Sequence, residues 1–124
     1  MGNINSLADI IRVHGVDRAD RPALIQDERS LSWAELAARS AQVAQGLAAD
    51  GVGSQDRVAF IDKNGIEHFE VFFGAALLNA VCVDVNWRLA APEVEYIVND
   101  ADAKLLVIGP DFVPIIDAIR DNLT

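Results

Sequence analysis

Apolar positions along the chain change their spacing several times, and each change marks an element. From Ile4 to about Asp20, Leu7, Ile10, Ile11 and His14 recur at helical spacing, and Ser6 with Asp9 forms a capping-box-like pair ahead of them. Gly15 and the charged run after it are expected to end this helix. Pro22 opens a short extended stretch, Ala23–Gln26. Asp27-Glu28-Arg29 reads as a turn and Ser30–Ser32 as the returning strand of a hairpin. Ser32 and Glu35 are spaced as a capping box. Trp33, Leu36, Ala37, Val43, Ala44 and Leu47 then trace one face of a second helix, which Gly51 stops as a left-handed C-cap.

Beyond Gly51 the pattern alternates between compact apolar runs and helical stripes. Arg57–Ile61 is short and apolar, as a buried strand requires. Asn64 and Glu67 suggest a cap for a helix with Ile66, Phe69, Phe73, Ala76 and Leu77 on one stripe and Val71, Phe72 and Leu78 off it. Val81–Val85 is the next strand. Pro92 is expected at the first position of a helix, with Glu93 and Glu95 near its positive end and Val94, Ile97, Val98 and Ala101 along its stripe. Lys104–Ile108 is a further strand and Pro114–Arg120 a closing helix. Strand and helix alternate from Arg57 onward, which implies parallel strands with right-handed crossovers. The expected class is α/β: a parallel-sheet layered subdomain with helices on both faces, preceded by a helix and a β-hairpin.

Composition narrows what this fold can serve. The chain has 124 residues, 52% of them hydrophobic, enough to bury a core. Ten Lys and Arg against nineteen Asp and Glu leave a net charge of −9, which repels phosphate backbones and argues against nucleic-acid binding. A single cysteine cannot close an internal disulfide, and no Cys/His spacing resembles a zinc site. No apolar run approaches the ~18 residues a membrane span needs. The expected location is cytoplasmic, with room for peripheral membrane attachment: Met1–Ser6 fits a myristoylation pattern on Gly2, and also a plain helix start.

Candidate chemistry is sparse. His14, Asp17 and Asp20 come closest to a ligand set, but their spacing spans a helix end and a charged loop, as a solvated surface run would. His68 is expected to face solvent, and Cys82 to act as a small hydrophobe in its strand. No catalytic residue and no metal site is assigned. Asn86-Trp87-Arg88-Leu89 stands apart because it follows the carboxyl end of a strand, where open α/β sheets take their ligands. The planar guanidinium of Arg88 can grip phosphate there. It can equally pack on Trp87 or pair with Glu93.

The order of these segments resembles the start of an adenylate-forming acyl-CoA synthetase. Leu31-Ser32-Trp33-Ala34-Glu35-Leu36 is similar to that family's L-[ST]-Y-x-E-L opening, and Gly53–Ala59 to G-x-x-x-D-R-V-A. Phe73–Val81 resembles F-x-G-A-x-x-x-G-A-V, and Asn86–Leu89 with Glu93 resembles N-x-R-L-x-x-x-E. The family usually has glycine where this chain has Asn79, and often proline where it has Asp84. A left-handed helix C-cap accommodates the asparagine, whereas a charge at that strand end is unexpected.

The resemblance implies that residues 1–124 are the N-terminal part of the large domain. The family's Ser/Thr/Gly-rich ATP loop, its adenine- and ribose-binding motifs and its catalytic lysine are not among these residues. By the same resemblance, the complete enzyme is an ATP-dependent, AMP-forming ligase. It uses ATP, Mg2+ and CoA and activates a carboxylic acid, a fatty acid in the leading reading. Arg88 matches an arginine that reaches CoA phosphate in some relatives. The 124-residue chain is expected to be inactive alone and to bind no cofactor. Its expected partners are the remainder of the synthetase or a second copy, through apolar surface that one small sheet cannot cover. A self-standing, non-catalytic binding module derived from the same fold is the alternative, and an aryl or amino-acid adenylation domain a third.

Overall fold

Val58 and Phe60 point to one side of the strand β3 (Arg57–Ile61), and Ala59 and Ile61 to the other. All four are almost fully buried, so both faces of this strand are covered. The computed structural model describes residues 3–124, which places the lipidation reading of Gly2 outside the described residues. β3 is the centre of a three-stranded parallel sheet, flanked by β4 (Val81–Asp84) and β5 (Ala103–Ile108) in the order β4-β3-β5.

The helices α2 (Trp33–Ala49) and α3 (Ile66–Leu77) bring Leu47, Val71 and Ala75 against Val58 and Phe60. On the opposite face α4 (Ala91–Asp100) and α5 (Val113–Ile119) bring Val94, Val98, Ile116 and Ile119 against Ala59 and Ile61. The α/β class with helices on both faces is therefore what forms. Ahead of it, α1 (Leu7–Asp17) and the antiparallel hairpin β1 (Pro22–Gln26) and β2 (Arg29–Ser32) close a smaller core, where Ile11, Leu36 and Phe73 meet.

The local signals hold at most boundaries. Asp9 and Ser6 cap α1 reciprocally, as do Glu35 and Ser32 at α2. Gly51 adopts φ +92° just past α2, and Asn79 adopts φ +56° just past α3, the left-handed cap expected of this asparagine.

Four expectations need correction. Gly15 does not end α1 but lies inside it, because a Cβ there would stand 2.9 Å from the Cβ of Ala37; the missing side chain lets α1 approach α2. The cap of α3 is not Asn64. The helix starts after Gly65, and the Ile66 N–H donates to Oε1 of Gln26 in the hairpin at 3.1 Å, while Glu67 pairs with Arg29 at 2.8 Å. The buried face of α3 includes Glu70, Val71 and Gly74 and leaves Phe69 exposed, since α2 packs against one flank and the sheet against the other. Pro92 is the second rather than the first residue of α4, which begins at Ala91.

Candidate functional site

Parallel strands end together, and the loops that leave them can line a common cleft. At the carboxyl ends of β3, β4 and β5 the ladder continues for one more step: the Val85 N–H donates to the Phe60 carbonyl at 2.9 Å and the Gly109 N–H to the Ile61 carbonyl at 2.9 Å. A cleft of about 300 Å³ opens beyond them, lined by Phe60, Asp62, Asn64, His68, Asp84, Asn86 and Trp87.

His68 is placed differently from its sequence-based expectation. It sits in the first turn of α3 with its side chain only 17% exposed, and Nε2 lies 2.8 Å from Oδ1 of Asp84. Phe60 and Phe69 meet the ring edge-on, with centroids at 5.1 and 5.3 Å, and Phe72 stacks at 6.4 Å. Oδ1 of Asp84 accepts a hydrogen bond from Nε2–H, which orients the imidazole; Nδ1 is buried with no hydrogen-bond partner. Burial follows from Phe60 of β3 on one side and from Phe69 and Phe72 of α3 itself on the other. The one sequence signal for the pair was the charge of Asp84 closing an otherwise apolar strand. Cys82, two residues earlier, is half-buried, with Sγ 3.6 Å from the same Asp84 oxygen. Burial, and then the carboxylate, push its thiol up to about 12, so it remains a protonated, unreactive thiol.

Arg88 follows β4 in a tight turn. Its N–H donates to Oδ1 of Asn86 at 3.0 Å, and the Leu89 N–H donates to the Asn86 carbonyl at 3.2 Å. The guanidinium lies over the indole of Trp87, 4.8 Å from the ring centroid. Glu93 is turned away to its own helix, where Oε2 accepts from the Ala90 N–H at 3.4 Å. Of the two packing arrangements open to Arg88 from sequence, the Trp87 stack forms and the Glu93 pair does not. In this arrangement Cζ of Arg88 sits over the ring. The Arg88 side chain is exposed and makes no ion pair among the described residues.

Lys63 reaches the same ring from the loop after β3, with Nζ 5.2 Å from the Trp87 centroid. No spacing rule links a residue after one strand to a residue after the next, so this convergence is invisible along the chain. His14 does not join Asp17 and Asp20; its ring packs against Trp33 with centroids 4.9 Å apart. Among the described residues no group of three or more His, Cys, Asp or Glu side chains converges as a metal site would require.

Residues 12–123 match the AMP-binding enzyme family. The chain belongs to that family. Its relatives include a fatty acid–[acyl-carrier-protein] ligase of Streptomyces coeruleorubidus, 33% identical over 92% of this chain and 22% of that protein. A long-chain-fatty-acid–CoA ligase of Mycobacterium tuberculosis is 42% identical over 73% of this chain and 18% of its own length. Among solved structures, an anthranilate CoA ligase in complex with anthranoyl-AMP superposes with a TM-score of 0.92 at 30% identity, over 99% of this chain and 24% of that one. The chain thus spans about a fifth of the length of the curated relatives it matches.

Proposed function

We propose that residues 1–124 are the N-terminal part of the large domain of an ATP-dependent, AMP-forming acyl-CoA ligase that activates a fatty acid. The supporting observation is the family match, which runs through residues 12–123 while covering only a small part of each relative. In this reading a substrate carboxylate attacks the α-phosphorus of ATP and displaces pyrophosphate. The thiol of CoA then attacks the acyl carbon and displaces AMP. The relatives' substrates, by their names, run from long-chain fatty acids to indoleacetate, so the fatty acid rests on the likeness to the two fatty-acid ligases.

The sequence contains no Ser/Thr/Gly-rich phosphate loop, and the described residues gather no three-ligand cation site, so no step on ATP or Mg2+ is assigned to this chain. Arg88 does fit CoA: an exposed guanidinium at the carboxyl end of a parallel sheet, over the Trp87 ring and with no ion pair among the described residues, can donate to a phosphate. What this chain contributes in the proposal is positioning of the thioester-forming substrate, and it performs no chemistry alone.

The experiment follows the two half-reactions separately. The 124-residue chain with ATP, Mg2+ and a panel of carboxylic acids should give no acid-dependent pyrophosphate exchange; clear exchange would overturn the partial-enzyme reading. In a polypeptide joining this chain to the remainder of a ligase, Arg88→Ala removes a charge-assisted contact worth roughly 1.5–3 kcal/mol. CoA affinity should fall about tenfold or more, with acyl-AMP formation nearly unchanged. Equal losses in both half-reactions, with a lower melting temperature, would make Arg88 a structural residue.

A further inference from the structure

We infer that Lys63 is a second phosphate-binding residue, and that Lys63 and Arg88, both leaning on Trp87, hold the phosphates of CoA together. The inference rests on the Arg88 reading above and extends it to a residue in a different loop. Lys63 leaves the end of β3 and Arg88 the end of β4, and these strands are hydrogen-bonded neighbours in the sheet. Both cations lie over one indole, Nζ at 5.2 Å and Cζ at 4.8 Å from its centroid. Their charges are therefore no farther apart than those two distances end to end, a span that two phosphates of one ligand can bridge.

The surroundings favour an anion at the rim. Neither cation makes an ion pair among the described residues, although the chain carries nineteen acidic side chains. Two like charges held over one ring repel each other, and an anion between them converts that repulsion into attraction. The carboxylates of the cleft are Asp62 and Asp84, and both are engaged: Asp62 Oδ1 accepts from the Lys63 N–H at 2.8 Å, and Asp84 holds His68. Each of these carboxylates thus has a hydrogen-bond partner, while neither cation has an ion-pair partner among the described residues. Trp87 is fixed in turn by Phe112, whose ring centroid is 6.1 Å away. A lysine there supplies a point charge that can follow a phosphate, and the arginine supplies the planar fork.

The test uses a polypeptide joining this chain to the remainder of a ligase, and the indole N–H resonance of Trp87, assigned by its loss in Trp87→Phe. CoA titrated into the millimolar range should move this resonance saturably. Lys63→Met and Arg88→Met should each weaken the response about three- to tenfold, Lys63→Arg should retain it, and all three should melt with the parent, since both side chains are exposed. Loss in Arg88→Met with no change in Lys63→Met would overturn the second cation and leave the Arg88 reading standing. Loss in Lys63→Met alone, or in neither variant, would overturn both readings, as would a Trp87 resonance that CoA does not move. Inorganic phosphate at matched concentration is the control. Equal shifts from phosphate alone would make the pair a general anion rest and overturn the assignment to CoA.

Discussion

Glu70 is the charged side chain whose environment costs the fold most directly. It is 10% exposed between α2 and α3, with the nearest guanidinium nitrogen, Arg39 Nη1, at 3.8 Å. Burial raises its carboxyl above the ordinary glutamate range, and Arg39 offsets this only in part. A carboxyl whose folded value is raised binds its proton more tightly folded than unfolded. Stability therefore falls as pH rises from the unfolded value through the folded one, and the cost is fully present above both. Glu70→Gln removes the buried charge at similar volume. It should raise the melting temperature at pH 7, and the advantage should close as pH falls below about 4.5. A glutamine variant that melts lower at pH 7 would show that the Arg39 pair outweighs desolvation.

Between elements, contact distance is set by glycine. A Cβ on Gly74 of α3 would stand 2.7 Å from Cγ1 and 2.9 Å from Cβ of Val43, and 3.1 Å from the Ser40 carbonyl oxygen, all on α2. Neither Val43 Cβ nor that carbonyl can swing aside, so the helices must separate. Gly74→Ala should destabilise by about 1–3 kcal/mol through overpacking, read as a lower denaturation midpoint. Gly46, near the end of α2, is the control, because a Cβ there meets nothing within 4 Å. Gly46→Ala should stabilise by up to about 1 kcal/mol through helix propensity alone. Similar effects from the two substitutions would remove the packing explanation. Gln26 shows the converse, an element boundary set from outside: a hairpin side chain supplies the acceptor at the start of α3 that Asn64 was expected to provide.

At the scale of the whole molecule, α3 was expected to present apolar surface beyond what one small sheet can cover. Ile66, Val71, Phe73 and Ala75 are in fact buried, because α1 and α2 cover the flank the sheet does not reach. What stays exposed is spread over several elements, Leu7 and Val16 of α1 and Val113 of α5 among them. Ile25 and Phe69 line one surface groove, Val81 lies on β4, and Tyr96 lies on α4. β4 and β5 are both sheet edges, with open backbone donors and acceptors. These features lead us to expect association despite the net charge of −9. Light scattering on the 124-residue chain should show dimers or larger species as salt rises and screens that charge. A monomer across a wide range of concentration and salt would count against it. Among the described residues no helix is long and apolar enough to cross a membrane.

Local rules were enough wherever one element decides its own geometry. The capping boxes at Ser6 and Ser32, the left-handed caps at Gly51 and Asn79, the apolar runs that became β3, β4 and β5, and the motif order behind the family resemblance all depend on residues a few positions apart. Tertiary structure decided what depends on neighbours far along the chain. Gly15 reads as a helix end until Ala37 is seen against it, and His68 reads as solvent-facing until Asp84 and three phenylalanines surround it. Arg88 was a candidate from its own motif, whereas Lys63 was not, because the ring they share brings together the ends of two strands. Caps and stripes are properties of one helix or strand, so periodicity carries them. Helix approach distances, buried polar pairs and converging charges are properties of two surfaces meeting, and only the packed sheet and helices bring those surfaces together.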